Sequence, residues 1–166
     1  MTRSEETYRN WIKESEYGRT SGIYWMVQGM IDHLGEEEGM KLFVKQIYKM
    51  GEDWAKMKLQ TLEQQGLENT LERNILENAS DDMMYSFAWD GGLKEYSEHD
   101  GVFEFTSCPI AAGFEAHGPK GVEIGEVFCR HIDNAFIQMY NSKYECDRKS
   151  SLNKDGLCRL HFKLKY

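Results

Sequence analysis

The sequence has little proline, few basic residues relative to acidic ones, and no long apolar run. Only two prolines occur among 166 residues, which excludes Pro-rich linkers and collagen-like repeats. The 28 acidic residues outnumber the 20 basic ones, and a net charge of −8 argues against nucleic acid or anionic lipid as the main partner. No apolar run approaches the roughly 20 residues of a membrane-spanning helix, so we expect no membrane partner.

Cysteine is missing from the first 107 residues and then occurs four times. The N-terminal segment MTRSEETYRNW has no apolar stretch of the kind that a secretory signal carries, so we expect a cytoplasmic protein. In a reducing compartment, this even number of cysteines predicts free thiols rather than disulfides. The four thiols are Cys108, Cys129, Cys146 and Cys158.

Length and hydrophobic content fit a single domain over residues 1–166, with a helical half (1–80) and a mixed α/β half (81–166). In the first half, apolar residues recur with the 3.6-residue period of a helix in four segments. These segments predict helices from Ser4 to about Tyr17, from Ile23 to Leu34, from about Glu37 to Gln65 and from Leu67 to Ala79.

In the second half, apolar and polar residues alternate with a period of two, which predicts antiparallel strands. The strands are expected at 83–89, 102–107, 144–149 and 158–164. A helix with a narrow apolar stripe is predicted from about Gly121 to Met139, and Pro109 fits the first position of another helix. The simplest fold class that accommodates these elements is α+β, with N-terminal helices plus a four-stranded antiparallel sheet covered by helices on one side.

Cys108 is the first candidate for chemistry, because it immediately precedes Pro109 at a predicted helix start. A thiol at a helix N-terminus is favoured as the thiolate by the helix dipole, and such a thiolate could attack an electrophilic carbon. The alternative is a buried thiol that serves only as a small apolar side chain. The sequence leaves both interpretations open.

A second group lies on the predicted long helix of the mixed half, in the run Cys129-Arg130-His131-Ile132-Asp133. Cys129 and Asp133 are four residues apart and share one side of the helix, whereas His131 lies at the flank of the apolar stripe. Asp133 is better suited to position water or anchor a substrate than to activate the thiol, because a nearby carboxylate raises a thiol pKa. His131 is either a substrate contact or a packed ring.

Two further candidates lie on the last two predicted strands. Arg148 shares a strand face with Tyr144 and Cys146, so it should point inward, where it needs an anionic partner from the protein or from a ligand. Cys158 shares its face with Leu160 and is expected to be a core position that could also contact a substrate.

Metal dependence stays open at this point. Cys108, Cys129 and Cys158 could together bind zinc, but their spacing matches no standard zinc signature, and the sequence does not require a divalent metal. The motifs GxGxxG, GxxxxGK[ST], GxSxG and HExxH are all absent from the sequence, so these nucleotide-binding, serine hydrolase and metalloprotease templates do not apply.

The stretch from Phe105 to Lys163 resembles the L-2-amino-thiazoline-4-carboxylic acid hydrolase family. The resemblance rests on Cys108-Pro109, on Cys129 with Asp133, and on the closing run Asp155-Gly156-Leu157-Cys158-Arg159-Leu160-His161-Phe162. The closing strand is also similar to that of 4-vinyl-reductase-type and Bet3-like ligand-binding domains.

The resemblance implies a hydrolase that opens a small cyclic amidine-like ring at a carbon–nitrogen or carbon–sulfur bond, giving a carbamoyl cysteine-type product. The alternative is a non-catalytic small-molecule or tetrapyrrole-binding domain of the 4-vinyl-reductase or Bet3-like type. In both cases the expected partner is a small molecule, and a homo-oligomer could form through the long helix at 37–65. The catalytic candidates are Cys108, Cys129 and Asp133, and the candidate substrate contacts are Arg148, His131 and Cys158.

Overall fold

The computed structural model describes residues 4–165, in which seven helices and four strands follow one another. The helical half comes first and the sheet is completed in the second half, so the fold is α+β as predicted. The helices are α1 (Glu5–Leu34), α2 (Glu36–Gln64), α3 (Leu71–Asn78), α4 (Asp81–Ser86), α5 (Pro109–Glu115), α6 (Gly118–Tyr140) and α7 (Leu152–Asp155). The strands are β1 (Asp90–Ser97), β2 (Asp100–Ser107), β3 (Tyr144–Ser150) and β4 (Cys158–Leu164).

The first two predicted helices are one continuous helix, so the expected break between Tyr17 and Ile23 was wrong. Ser4 is the N-cap of α1, its hydroxyl accepts a hydrogen bond from the Thr7 backbone N–H at 3.3 Å, and the helix ends at Gly35, which has a φ of +82°. The helix passes through the glycines between its two amphipathic segments, since a single glycine weakens a helix by only about 1 kcal/mol.

Helices α2 and α6 pack closely along much of their length. A Cβ at Gly51 of α2 would lie 2.6 Å from the Ala135 Cβ and 2.8 Å from the Phe136 backbone nitrogen of α6. Only glycine therefore permits this separation of the two backbones. The contact fixes the position of α6, which carries several of the candidate site residues.

The sheet has the strand order β1-β2-β4-β3, and all neighbouring strands are antiparallel. The strand expected at 83–89 was wrong: Ser80 caps the short helix α4, and β1 begins only at Asp90. The Ser80 hydroxyl accepts from the Met83 N–H at 3.3 Å and two aspartates occupy the first turn, which favours a helix over an extended chain. As a result, β1 and β2 form a hairpin with a short connection rather than a long one.

The apolar core consists of two clusters of buried side chains. One lies between the sheet and α3 together with the C-terminal part of α6, and includes Phe103, Phe162 and Tyr140. The other joins α1, α2, α5 and the middle of α6, and includes Ile47, Phe114 and Phe128. Helix α6 contributes to both clusters, so the zone where the clusters meet lies along this helix.

Although α1 and α2 are long, neither they nor any other helix within residues 4–165 combines the length and the apolar character that crossing a bilayer would require.

Candidate functional site

A hollow, here called the inner cavity, lies where the two core clusters meet. Its volume is about 100 Å³, and aromatic and aliphatic side chains from both clusters form most of its wall. Six polar or thiol side chains interrupt that apolar wall, and they come from five different places in the fold. These side chains are Asn78, Cys108, Cys129, Asp133, Arg148 and Cys158.

Cys108 occupies the N-cap position of α5, and Pro109 is at the first helical position as predicted. Burial raises the pKa of the Cys108 thiol. The N–H groups of Ala111, Ile110 and Trp89 lie beside the sulfur and oppose this rise in pKa. The Cys108 thiol therefore holds its proton more tightly than an ordinary cysteine, while groups that favour a thiolate lie next to it.

Cys129 and Asp133 lie one turn apart on α6 and both line the inner cavity, which is the shared side that their spacing predicts. Burial raises the pKa of the Asp133 carboxyl to about 6, and the positive charge of Arg148 opposes that rise. Burial also raises the pKa of the Cys129 thiol far above its ordinary value. Asp133 thus titrates close to neutral pH, whereas Cys129 stays protonated.

Arg148 extends from β3 into the inner cavity, with only 8% of its side chain exposed. Its Nη2 lies 3.9 Å from Oε1 of Glu126, while Nε and Nη1 are buried and have no hydrogen-bond partner within residues 4–165. A buried guanidinium normally satisfies its donors, since each unsatisfied one costs about 1–3 kcal/mol. Arg148 therefore has free donors that an anionic ligand in the cavity can accept.

Cys158 is buried at the start of β4 and completes the thiol-bearing wall. Burial raises its pKa to about 11, although the positive charge of Arg148 opposes the rise. The fourth thiol, Cys146, is buried outside the lining of the inner cavity and pairs with Phe162 across the sheet rather than with Cys158.

The structure does not bring His131 into the inner cavity. Its ring lies 5.8 Å from the ring of Tyr48 on α2, on the outer side of α6. Two residues along a helix correspond to a rotation of about 200°, so a side chain that follows Cys129 by two positions faces away from it. The packed-ring interpretation of His131 fits this position, and we leave His131 out of the site.

Two important neighbours of the site were missed in the sequence. Trp89 was expected to be an ordinary strand residue, yet it follows α4 and lines the cavity beside Cys108. Glu126 lies one turn before Arg130 on α6 and was not considered as a site residue, although it is buried next to Arg148. A glutamate two residues before Phe128 of the apolar stripe could have drawn attention to this position.

Metal binding is not indicated by the geometry. Over the described range 4–165, the structure has no group of three or more His, Cys, Asp or Glu side chains placed to hold an ion. The three thiols that the sequence offered as zinc ligands do line one cavity, but they face a guanidinium. A cation would have to share this small space with the positive charge of Arg148, which disfavours its binding.

The arrangement combines a donor for an anion, a carboxyl group whose pKa is raised to about 6, and a thiol with N–H groups beside its sulfur. These groups surround a mostly apolar space, where electrostatic interactions are stronger than in bulk solvent. Such a site can hold a small carboxylate, withdraw a proton from water and return a proton to a leaving atom.

Comparisons with known proteins bear on the family of this chain. A search of solved structures matches it to a trafficking protein particle complex subunit 3 from Naegleria fowleri, covalently bound to palmitic acid. The two share 14% sequence identity with a TM-score of 0.59, over 93% of this chain and 97% of that chain, so the likeness concerns the fold. No curated protein matches the chain. The family model of L-2-amino-thiazoline-4-carboxylic acid hydrolase matches residues 17–162, and the chain therefore belongs to that family.

Proposed function

We propose that the chain is a hydrolase that opens the ring of a 2-amino-thiazoline-4-carboxylate-type substrate. One observation carries the proposal: Arg148, Asp133 and Cys108 border one small, mostly apolar cavity in a chain of this family. In the reaction, water adds to the carbon between the ring nitrogen and the ring sulfur. The carbon–sulfur bond then breaks, the ring nitrogen and the sulfur each take up one proton, and a carbamoyl cysteine results.

Arg148 binds the substrate carboxylate. Its Nε and Nη1 donors have no hydrogen-bond partner within residues 4–165, and each can donate to a carboxylate oxygen. The neighbouring Glu126 is too distant at 3.9 Å to form a hydrogen bond with the guanidinium. This contact orients the ring with its carboxylate end at β3.

Asp133 acts as the general base that removes a proton from the attacking water. A base is most effective when its pKa lies near the working pH, and burial brings the Asp133 pKa to about 6. A carboxyl group with an ordinary pKa would be a weaker base. The surrounding apolar wall therefore contributes to catalysis by raising this pKa.

Cys108 donates the proton that the leaving sulfur needs. The thiol is neutral because burial raises its pKa, so it holds a transferable proton at neutral pH. Once the proton has moved, the N–H groups of Ile110, Ala111 and Trp89 stabilise the Cys108 thiolate. Cys129 and Cys158, which stay protonated, contact the substrate as part of the wall.

The proposal is tested with the variants Asp133→Asn, Cys108→Ala and Cys129→Ala. The assay follows the thiol that ring opening releases, using a thiol-reactive chromophore and correcting for protein thiols. We expect Asp133→Asn to lose at least about 100-fold in kcat, as removal of a general base does. Cys146→Ala is the matched control, because it removes a buried thiol outside the cavity. Wild-type rates in all three site variants would refute the proposal.

A second candidate function is non-catalytic binding of a small molecule or tetrapyrrole. The apolar lining and the Bet3-like fold of the structural neighbour favour it, and that neighbour carries a covalent palmitic acid. Mass spectrometry and absorption spectroscopy of the purified chain distinguish the two functions. A retained pigment or acyl adduct in every preparation supports the second candidate, and a ligand-free protein that opens the ring supports the first.

A further inference from the structure

A second hollow, here called the outer groove, lies beside the inner cavity and is much larger. Its volume is about 430 Å³, and α2, α3, α4 and α6 contribute most of its wall. The lining is mainly apolar, and its aromatic side chains include Trp54, Phe87 and Phe136. The inner cavity alone is smaller than the roughly 300–1,000 Å³ of usual ligand pockets, whereas the outer groove falls within that range.

The two hollows share part of their walls. Trp89, Phe128 and Asp133 line both of them, whereas Arg148 and Cys108 line only the inner cavity. A molecule that extends from one hollow to the other would therefore have one end at Arg148 and its middle at Asp133. Its other end would lie in the outer groove.

The charged side chains that α1, α2 and α3 contribute to the outer groove form ion pairs. Lys58 of α2 pairs with Glu77 of α3, and Arg19 of α1 pairs with Glu16, although the buried Nε of Arg19 has no hydrogen-bond partner within residues 4–165. The two unpartnered donors of Arg148 lie in the inner cavity. The groove thus offers mainly apolar surface, and the inner cavity offers a site for an anion.

The order anion site, carboxyl group and apolar groove matches the order of chemical groups in one substrate class. In a 2-amino-thiazoline-4-carboxylate, the carboxylate and the exocyclic nitrogen lie at opposite ends of the ring, and the reacting carbon carries that nitrogen. With the carboxylate at Arg148 and the reacting carbon at Asp133, the exocyclic nitrogen points toward the outer groove. A substituent on that nitrogen would lie among the aromatic side chains.

We propose that the substrate carries an apolar substituent of about aromatic size on its exocyclic nitrogen, and that the outer groove binds it. This inference rests on the proposed function and names its substrate class. The chemistry stays balanced: the water oxygen bonds to the ring carbon, the carbon–sulfur bond breaks, and the two water protons end on the ring nitrogen and the sulfur. The substituent remains on the resulting urea nitrogen, and the product is an N-(substituted carbamoyl) cysteine.

The test compares 2-amino-thiazoline-4-carboxylate with its N-benzyl derivative. We expect the wild-type chain to hydrolyse the benzyl derivative with a kcat/KM at least about tenfold higher, since apolar groups that fill a pocket are worth that much or more. Met57→Glu places a carboxylate in the groove at a position that is 67% exposed, so folding should tolerate it. This variant should lower kcat/KM for the benzyl derivative about tenfold and leave the parent compound unchanged.

The matched control is Met26→Glu on α1, at a methionine that is 62% exposed and outside both hollows. It should change neither rate. Equal or better hydrolysis of the parent compound by the wild-type chain would overturn the inference and leave the proposed function standing. An equal effect of Met57→Glu on both compounds would overturn it as well.

A binding measurement keeps the two proposals separate. Calorimetric titration with N-carbamoyl cysteine and N-(benzylcarbamoyl) cysteine reports on the groove without any turnover. If neither ring compound is hydrolysed, the proposed function fails, yet at least about tenfold tighter binding of the benzyl product would still support the groove assignment. Equal binding of the two products would overturn the groove assignment. A chain isolated with a fatty acyl adduct that fills both hollows would overturn it as well.

Discussion

The guanidinium of Arg148 and the carboxylate of Glu126 are both buried, yet their nearest atoms are 3.9 Å apart. This distance is too long for a hydrogen bond, so the two charges attract each other without satisfying each other. Glu126 compensates part of the cost of burying Arg148 and leaves its Nε and Nη1 donors free. The pair therefore holds a cation ready for an incoming anion.

Arg148→Lys should weaken substrate binding even though it keeps the charge. A lysine has one point-like donor group and cannot form the paired hydrogen bonds of a guanidinium with a carboxylate. We expect KM to rise about 10- to 100-fold, from the loss of about 1.5–3 kcal/mol in a charge-assisted hydrogen bond. Steady-state kinetics check this, with Arg130→Lys on the exposed surface of α6 as the control. An unchanged KM for Arg148→Lys would show that the carboxylate binds elsewhere.

The pH dependence of the rate should follow Asp133. Burial brings its pKa to about 6 and the base must be ionised, so kcat/KM should rise as pH increases through about 6 and then level off. Arg148→Met removes a charge that lowers this pKa, and the rise should move to higher pH. Profiles of both proteins measured from pH 4 to 9 test this, and a midpoint near the ordinary aspartate value would argue against Asp133 as the base.

Asp133→Asn should stabilise the fold at neutral pH while it lowers kcat at least about 100-fold. The folded-state pKa of Asp133 lies above its unfolded value of 3.8, so the folded chain binds the extra proton between pH 4 and 6 and loses stability as pH rises through that window. Removing the ionisable group should recover on the order of 2 kcal/mol at pH 7, with some discount for partial solvent contact. Thermal unfolding at pH 4 and pH 7 measures this.

Asp147→Asn should change the stability of the fold at neutral pH in the opposite direction. A hydrogen bond from Lys149 lowers the Asp147 pKa, so ionised Asp147 contributes stability that is present at neutral pH and lost in acid. This variant should be slightly less stable than the wild type at pH 7. A stabilising effect of both substitutions would indicate a general charge effect rather than burial of Asp133.

Gly51→Ala should destabilise the chain because the added methyl group would enter the contact between α2 and α6. Its Cβ would lie 2.6 Å from the Ala135 Cβ, and overpacking of this kind costs about 1–3 kcal/mol. Gly29→Ala is the control: a Cβ at Gly29 has no neighbour within 4 Å, and alanine should stabilise α1 by about 0.5–1 kcal/mol. Denaturant unfolding of the two variants should therefore show shifts in opposite directions.

Sequence periodicity predicts most of this fold, because long amphipathic segments indicate helices and strands directly. The sheet strands β3 and β4, the helix α6 and the α+β class are all confirmed. The strand predicted at 83–89 was wrong, because a capping serine and two acidic residues favour the helix α4 over a short alternation of apolar residues. Local side-chain hydrogen bonds of this kind are weak signals in a sequence.

The candidate site is predictable only in part. The spacing of Cys129 and Asp133 places them on one side of α6, and the alternation of β3 turns Arg148 inward. That Cys108 and Cys158 line the same cavity follows from the packing of α5 and β4, which no local pattern encodes. The failure of Glu126 to reach Arg148 likewise depends on a separation between α6 and β3 that only the assembled fold fixes.

Apart from Asn78, the polar and thiol side chains of the inner cavity come from residues 108–158, whereas most of the outer groove is built from the helices that precede the sheet. Substitutions in those helices could therefore change which molecules are accepted while leaving the reaction itself intact. A fold divided in this way can evolve new selectivity when a few side chains on α2 and α4 are exchanged. Proteins of this fold with different natural ligands would then share one set of polar groups in the inner cavity.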